Sequence, residues 1–221
     1  GLWCDVQEFH RSSLTRARKK VSWTIFRDIL LKAVQLAYDL WPSHPSYVWH
    51  GMNVIAFDGS KYTLPATEEL RRELDPYSGL QYQGKGHFPQ CLVNTAYDVF
   101  RRLPVARSVV TIHGSEREEA KDLLPYVPSG AVLLFDPGYP GYELIAHLRK
   151  NYNGYFLFRC PAKSTFPAVH IFVQSNKQED FIVIDPSSNY LRKLSPGQRK
   201  KADLIQLRII RLVSPDGTVS V

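Results

Sequence analysis

The 221-residue sequence has no uninterrupted apolar run of the roughly 18 residues that a membrane-spanning helix requires. Its cysteines, Cys4, Cys91 and Cys160, are three in number and far apart, with no Cys-x-x-Cys. That excludes a disulfide framework and a thiolate zinc knuckle, and fits a reduced compartment. The seven histidines include no His-Glu-x-x-His and no pair at zinc spacing near a cysteine. No Gly-Lys-Ser/Thr ending marks a nucleotide-binding P-loop. There is no internal repeat and no low-complexity tract. The amino terminus, Gly1-Leu2-Trp3-Cys4-Asp5, lacks the basic-then-apolar layout of a signal peptide and does not begin with Met. The chain is therefore expected to be a piece of a longer or processed protein.

What is present begins with charge. Lys plus Arg is 28 against 21 for Asp plus Glu, a net charge of +7 and a pI near 9.3. This balance favours a polyanionic partner. The basic residues come in pairs and short runs, such as Arg71-Arg72, Arg101-Arg102 and Arg199-Lys200-Lys201. Such pairs line a DNA path or form solvated faces, and charge alone leaves both open. Hydrophobic residues make up 44%, enough for a real core.

Residues 13 to about 41 read as one helix, with Val21, Ile25, Ile29, Ala33, Leu36, Ala37 and Leu40 at three- and four-residue spacing. Val54-Ile55-Ala56-Phe57 is a short continuous apolar run, the pattern of a strand buried on both faces, ending at Asp58-Gly59-Ser60. Residues 88–99 and 103–112 read as a hairpin. Ser115 and Glu118 have capping-box spacing and open a helix with Ala120, Leu123 and Val127 on its apolar face. Ala131 to Phe135 is a second buried-strand run, ending at Asp136-Pro137-Gly138-Tyr139. A helix over 142–150 and a strand over 155–159 follow. Beyond Pro161, residues 169–173, 181–185, 204–212 and 219 onward read as strands. The expected architecture is α/β. A helical segment (1–49) precedes a mixed-sheet core with flanking helices (50–161), and a β-rich insertion (162–221) follows it.

Two segments match each other. Val-Ile-Ala-Phe-Asp58-Gly59 and Val-Leu-Leu-Phe-Asp136-Pro-Gly138 are each a buried strand with an acid at its carboxyl end. In open α/β sheets the ligand site lies outside those strand ends. Paired carboxylates suit Mg²⁺ or Mn²⁺, and two such ions promote phosphodiester displacement. One strand-Asp-Gly alone is more simply a turn or a cap; the matched pair favours a site. Further candidates for contact with nucleic acid are Lys85 and His87 in a polar glycine-rich stretch, the Arg101-Arg102 pair, and Tyr139, which stacks on DNA or packs in its loop.

Phe57-Asp58-Gly59-Ser60, Ser115-Glu116-Arg117-Glu118 and Phe135-Asp136-Pro137-Gly138-Tyr139 followed by Tyr142-Glu143-Leu144 resemble the DDE transposases of bacterial insertion sequences. The resemblance covers about residues 50–161, and the β-rich stretch is similar to an insertion that some of these enzymes carry. It implies a ribonuclease-H-like sheet, Asp58 and Asp136 as catalytic metal ligands, and two Mg²⁺ or Mn²⁺ ions in the complete site. It implies double-stranded DNA, both transposon ends and target, as partner, a homo-oligomer on DNA, and a bacterial, cytoplasmic, nucleoid-associated location. The family's third acid is a Glu on a helix beyond the insertion, which is expected to lie past Val221. In ribonuclease H itself an acid comes from the helix before the fourth strand. Here that helix offers Glu116, Glu118 and Glu119. Glu118 has a ready account as the capping-box acid, and Glu119 or Asp122 would need to face the sheet ends to serve, so the Glu beyond the insertion is the preferred third acid. The rival readings are a ribonuclease-H-like nuclease without strand transfer and a domesticated, non-catalytic DNA-binding remnant.

Overall fold

The computed structural model describes residues 11–41, 44–77, 88–160, 166–199, 202–217 and 219–221. The chain divides into two compact units, Gly1–Leu40 and Trp41–Val221. The first unit contains helices α1 (Arg11–Lys20) and α2 (Thr24–Leu40). The single helix expected over 13–41 is thus broken at Val21-Ser22-Trp23. Ser22 Oγ accepts from the Thr24 amide at 3.4 Å, opening a new helix where the apolar spacing runs on unchanged.

The second unit is built on a five-stranded mixed sheet in the order β3-β2-β1-β4-β5. Its strands are β1 (Val54–Thr63), β2 (Gln90–Asp98), β3 (Leu103–Thr111), β4 (Val132–Phe135) and β5 (Tyr155–Phe158). β1, β2 and β3 pair antiparallel, whereas β4 lies parallel to both β1 and β5. Helices α3 (Glu68–Leu74), α4 (Glu116–Leu123) and α5 (Tyr142–Asn151) flank it, giving the ribonuclease-H-like α/β arrangement. β1 runs past the expected end at Asp58 because β2 continues beside it, from Asp58↔Thr95 to Thr63↔Gln90. β4 stops at Phe57↔Phe135. Asp58 is therefore mid-strand with respect to β2 and at the strand end with respect to β4.

The core explains this register. Ile55, Ala131, Leu133 and Leu148 are buried completely, and α5 contributes Leu144 and Ile145 beside them. Phe57, Phe135 and Phe158 stack across β1, β4 and β5, with centroids 4.9 and 4.6 Å apart. Each such contact adds about 0.5–1.5 kcal/mol beyond its buried area. A slip of one residue would turn these rings to the opposite face.

After β5 come α6 (Pro167–Gln174), β6 (Glu179–Ile184), α7 (Ser188–Lys193), α8 (Pro196–Arg199), β7 (Ile205–Ile210), β8 (Leu212–Val213) and β9 (Val219–Ser220). β6 pairs with β7 and β8 with β9, both antiparallel. Residues 169–173, expected as a strand, are helical. Pro167 sits in the first turn of α6, and Val169 and Phe172, three residues apart, are its buried positions. Ile184 and Ile205 pack against Tyr142 and Ile145 of α5, so this stretch is joined to the core by a shared apolar cluster. No helix among the described residues is long and apolar enough to cross a membrane.

Candidate active site

The parallel pairing of β1 and β4 sets Asp58 and Asp136 one step beyond the matched Phe57 and Phe135. Neighbouring strands lie about 4.8 Å apart, so the two acids leave the sheet side by side. Both are exposed. Ser60 Oγ donates to Asp58 Oδ2 at 3.3 Å, and the Gly138 amide donates to Asp136 Oδ1 at 2.9 Å. Each carboxylate is thereby oriented by its own loop or strand, and its other oxygen accepts no hydrogen bond among the described residues.

A third carboxylate joins them. Glu116, the first residue of α4, reaches over β1 at Gly59. Its Oε1 lies 2.5 Å from the position a β-carbon on Gly59 would take. A β-carbon on Gly138 would stand 3.2 Å from Asp136 Oδ1 and 3.6 Å from Glu116 Oε2. Burial pushes the Glu116 carboxyl above its ordinary value, and the charges of Asp136 and then Asp58 push it further. Lys61 and Arg117 oppose the shift.

The residue facing the sheet is thus Glu116, not Glu119 or Asp122. Glu118 is not a capping-box partner either. Ser115 makes no side-chain cap, and Glu118 pairs with Lys121 at 2.8 Å. The signal was present in the helical period. Glu116, Ala120 and Leu123 fall on one stripe, and the last two are buried.

Other expected residues fall elsewhere. Tyr139 is 1% exposed, with its ring 5.4 Å from Phe135 and its hydroxyl donating to Asn94 Oδ1 at 3.4 Å. It is a core residue and offers no face to a base. Burial raises the Tyr139 hydroxyl far above its usual range, and the charges of Glu116, Asp136 and Asp58 add to this. Arg101 has a side-chain exposure of 3%. It donates to Trp41 O, Tyr47 O, Asn53 Oδ1 and Asp98 Oδ2. Its charge is committed to Asp98 and to that loop, so it is not a phosphate contact. Arg102 is exposed, at the hairpin beside the start of β1 and away from the acids. Lys85 and His87 lie outside the described residues. Glu143 is drawn away from the acids by Lys121 and Lys193, at 3.3 and 3.1 Å.

Among the described residues, no group of three or more His, Cys, Asp and Glu side chains forms a ready-made metal cage. The sheet explains this. Gly59 lies on the face where Glu116 sits, while Asp58, the residue before it on β1, points to the other side. The donor set nonetheless fits a hard cation such as Mg²⁺, which keeps several waters and takes only one or two carboxylates at a time.

No family model matches the chain, and no curated protein matches it. Among solved structures it is compared with a crystal structure of NurA bound to dAMP and manganese, at 11% identity and a TM-score of 0.16. That comparison covers 95% of this chain and 60% of the NurA chain. A likeness of this size establishes neither family nor function.

Proposed function

We propose that this chain carries the catalytic portion of a metal-dependent DNA-cleaving enzyme of the cut-and-paste transposase type, acting on double-stranded DNA. The observation that supports it is the placing of Asp58 and Asp136 one step past the register shared by two parallel strands, with Glu116, from the helix before β4, near enough to feel both charges. Asp58, Asp136 and Glu116 would hold Mg²⁺ or Mn²⁺. Bound there, the cation supplies Lewis-acid polarisation of a phosphoryl oxygen and an activated water. In the reaction, water forms a bond to phosphorus, the bond from phosphorus to the 3′-oxygen breaks, and that oxygen leaves with a proton. The freed 3′-hydroxyl then attacks a phosphorus of target DNA in the same way. No protein nucleophile is required.

One observation favours the nuclease reading over the transposase. Glu116 supplies a third acid from within the core, so a later helix is not needed to reach three carboxylates. The test is a cleavage and joining assay on duplex DNA with Mg²⁺. Asp58→Asn and Asp136→Asn should each lower cleavage by at least about 10²-fold with the fold intact, as removal of a transition-state interaction does. Joined product supports the transposase, and cleavage alone supports the nuclease. Undiminished cleavage by both variants rejects the site.

A further inference from the structure

Beside Asp58 and Asp136, on the side of Glu116, lies a cleft of about 320 Å³. Leu92 and Ile112 line it, and Lys61, Ser115, Glu116 and Arg117 supply its polar groups. We propose that this cleft seats a backbone phosphate of the DNA neighbouring the one being cleaved, held by Lys61, Arg117 and Ser115. The proposal rests on the DNA-cleaving reading above.

Three observations carry it. Lys61 is exposed, and its ammonium makes no hydrogen bond or ion pair among the described residues, only a longer-range attraction to Glu116. Gly59 and Lys61 are two residues apart on β1, so Lys61 rises on the side where Glu116 sits. Arg117 is fixed rather than free. Its Nε and Nη2 donate to Gly138 O at 3.3 and 3.0 Å, and Nη1 is committed to no described partner. The guanidinium is thereby pre-oriented by the Asp136 loop, which lowers the entropy lost on binding. Third, Ser115 stands at the start of α4 without capping it, so its hydroxyl remains available to donate.

Glu116 in the same cleft decides what kind of anion fits. The Glu116 carboxylate opposes any anion here, and a phosphodiester carries one negative charge where a free phosphate at neutral pH carries between one and two, so the diester meets the smaller repulsion. The competing account gives Lys61 only the task of offsetting Glu116.

The experiment measures duplex binding by fluorescence anisotropy with Ca²⁺ across a salt series, with Mg²⁺-dependent cleavage measured in parallel. Lys61→Ala should weaken binding about 5- to 10-fold and reduce the slope of log affinity against log salt by about 1. Lys61→Arg should restore both. Replacing single phosphates by neutral methylphosphonates should reveal one position that weakens the wild type and has no effect on Lys61→Ala. Arg117→Lys should weaken binding by a similar factor without changing the slope. Wild-type binding and cleavage with an unchanged slope in Lys61→Ala overturns the cleft proposal and leaves the acid site standing. A wild type that neither binds nor cleaves duplex DNA overturns both.

Discussion

The Glu116 carboxylate occupies the space that a side chain at Gly59 would need: Oε1, Cδ and Cγ lie 2.5, 2.6 and 2.7 Å from where that β-carbon would stand. Gly59 is thus part of the site through what it omits. Gly59→Ala should leave stability within about 1 kcal/mol, because alanine suits a strand at least as well as glycine and the crowded group is the end of a flexible side chain. Displacing that carboxylate by about 1 Å should lower metal-dependent cleavage about 10²-fold. Thermal unfolding and cleavage measured on one preparation check this, and a parallel loss of both would place Gly59 in the fold instead.

Glu116 also gives the protein a pH signature. Its folded carboxyl titrates higher than the unfolded one, owing to burial and to Asp136 and Asp58. Across the interval between the two values the folded state holds more protons, so stability falls as pH rises through it. Glu116→Gln removes that loss. Without divalent metal the variant should melt above the wild type at neutral pH, and the difference should vanish as pH falls below the ordinary carboxylate range. Added Mn²⁺ should reverse the order, because only the wild type gains a full ligand set. Melting curves at several pH values, with and without Mn²⁺, decide it. A variant that melts at or below the wild type in metal-free neutral buffer contradicts the account.

Arg101 and Arg102 should behave as opposites despite being neighbours. Arg101→Ala leaves Asp98, 0% exposed, without its guanidinium. Loss of one partner of such a buried pair costs about 3–5 kcal/mol. Arg102→Ala removes an exposed group and should change stability by no more than about 0.5 kcal/mol. Urea unfolding of both checks this, and equal effects would contradict it.

The sheet was readable in the sequence because its parallel strands are short apolar runs of matching form. Val54–Phe57 and Val132–Phe135 are buried alike and pair in register, so the two Asp residues were visible as a pair. Glu116 was not singled out, because three acids crowd the first turn of α4 and the spacing of Ser115 and Glu118 suggested a cap that does not form. Tyr139 and Arg101 misled for a different reason. Their residue types suit DNA, but tertiary packing consumed one in the core and the other in an ion pair. Residues 169–173 failed because a short β-branched run has no period by which helix and strand can be told apart.

The stacked rings of Phe57, Phe135 and Phe158 have no reactive chemistry, yet they set the offset between the strands that carry the acids. Inheritance of the site is therefore not equivalent to inheritance of its carboxylates. A descendant could keep Asp58, Asp136 and Glu116, trade Phe135 for a slimmer side chain, and drift out of catalytic alignment. Tolerance to mutation should accordingly be lowest along a line running inward from the acids, through residues that never meet the substrate.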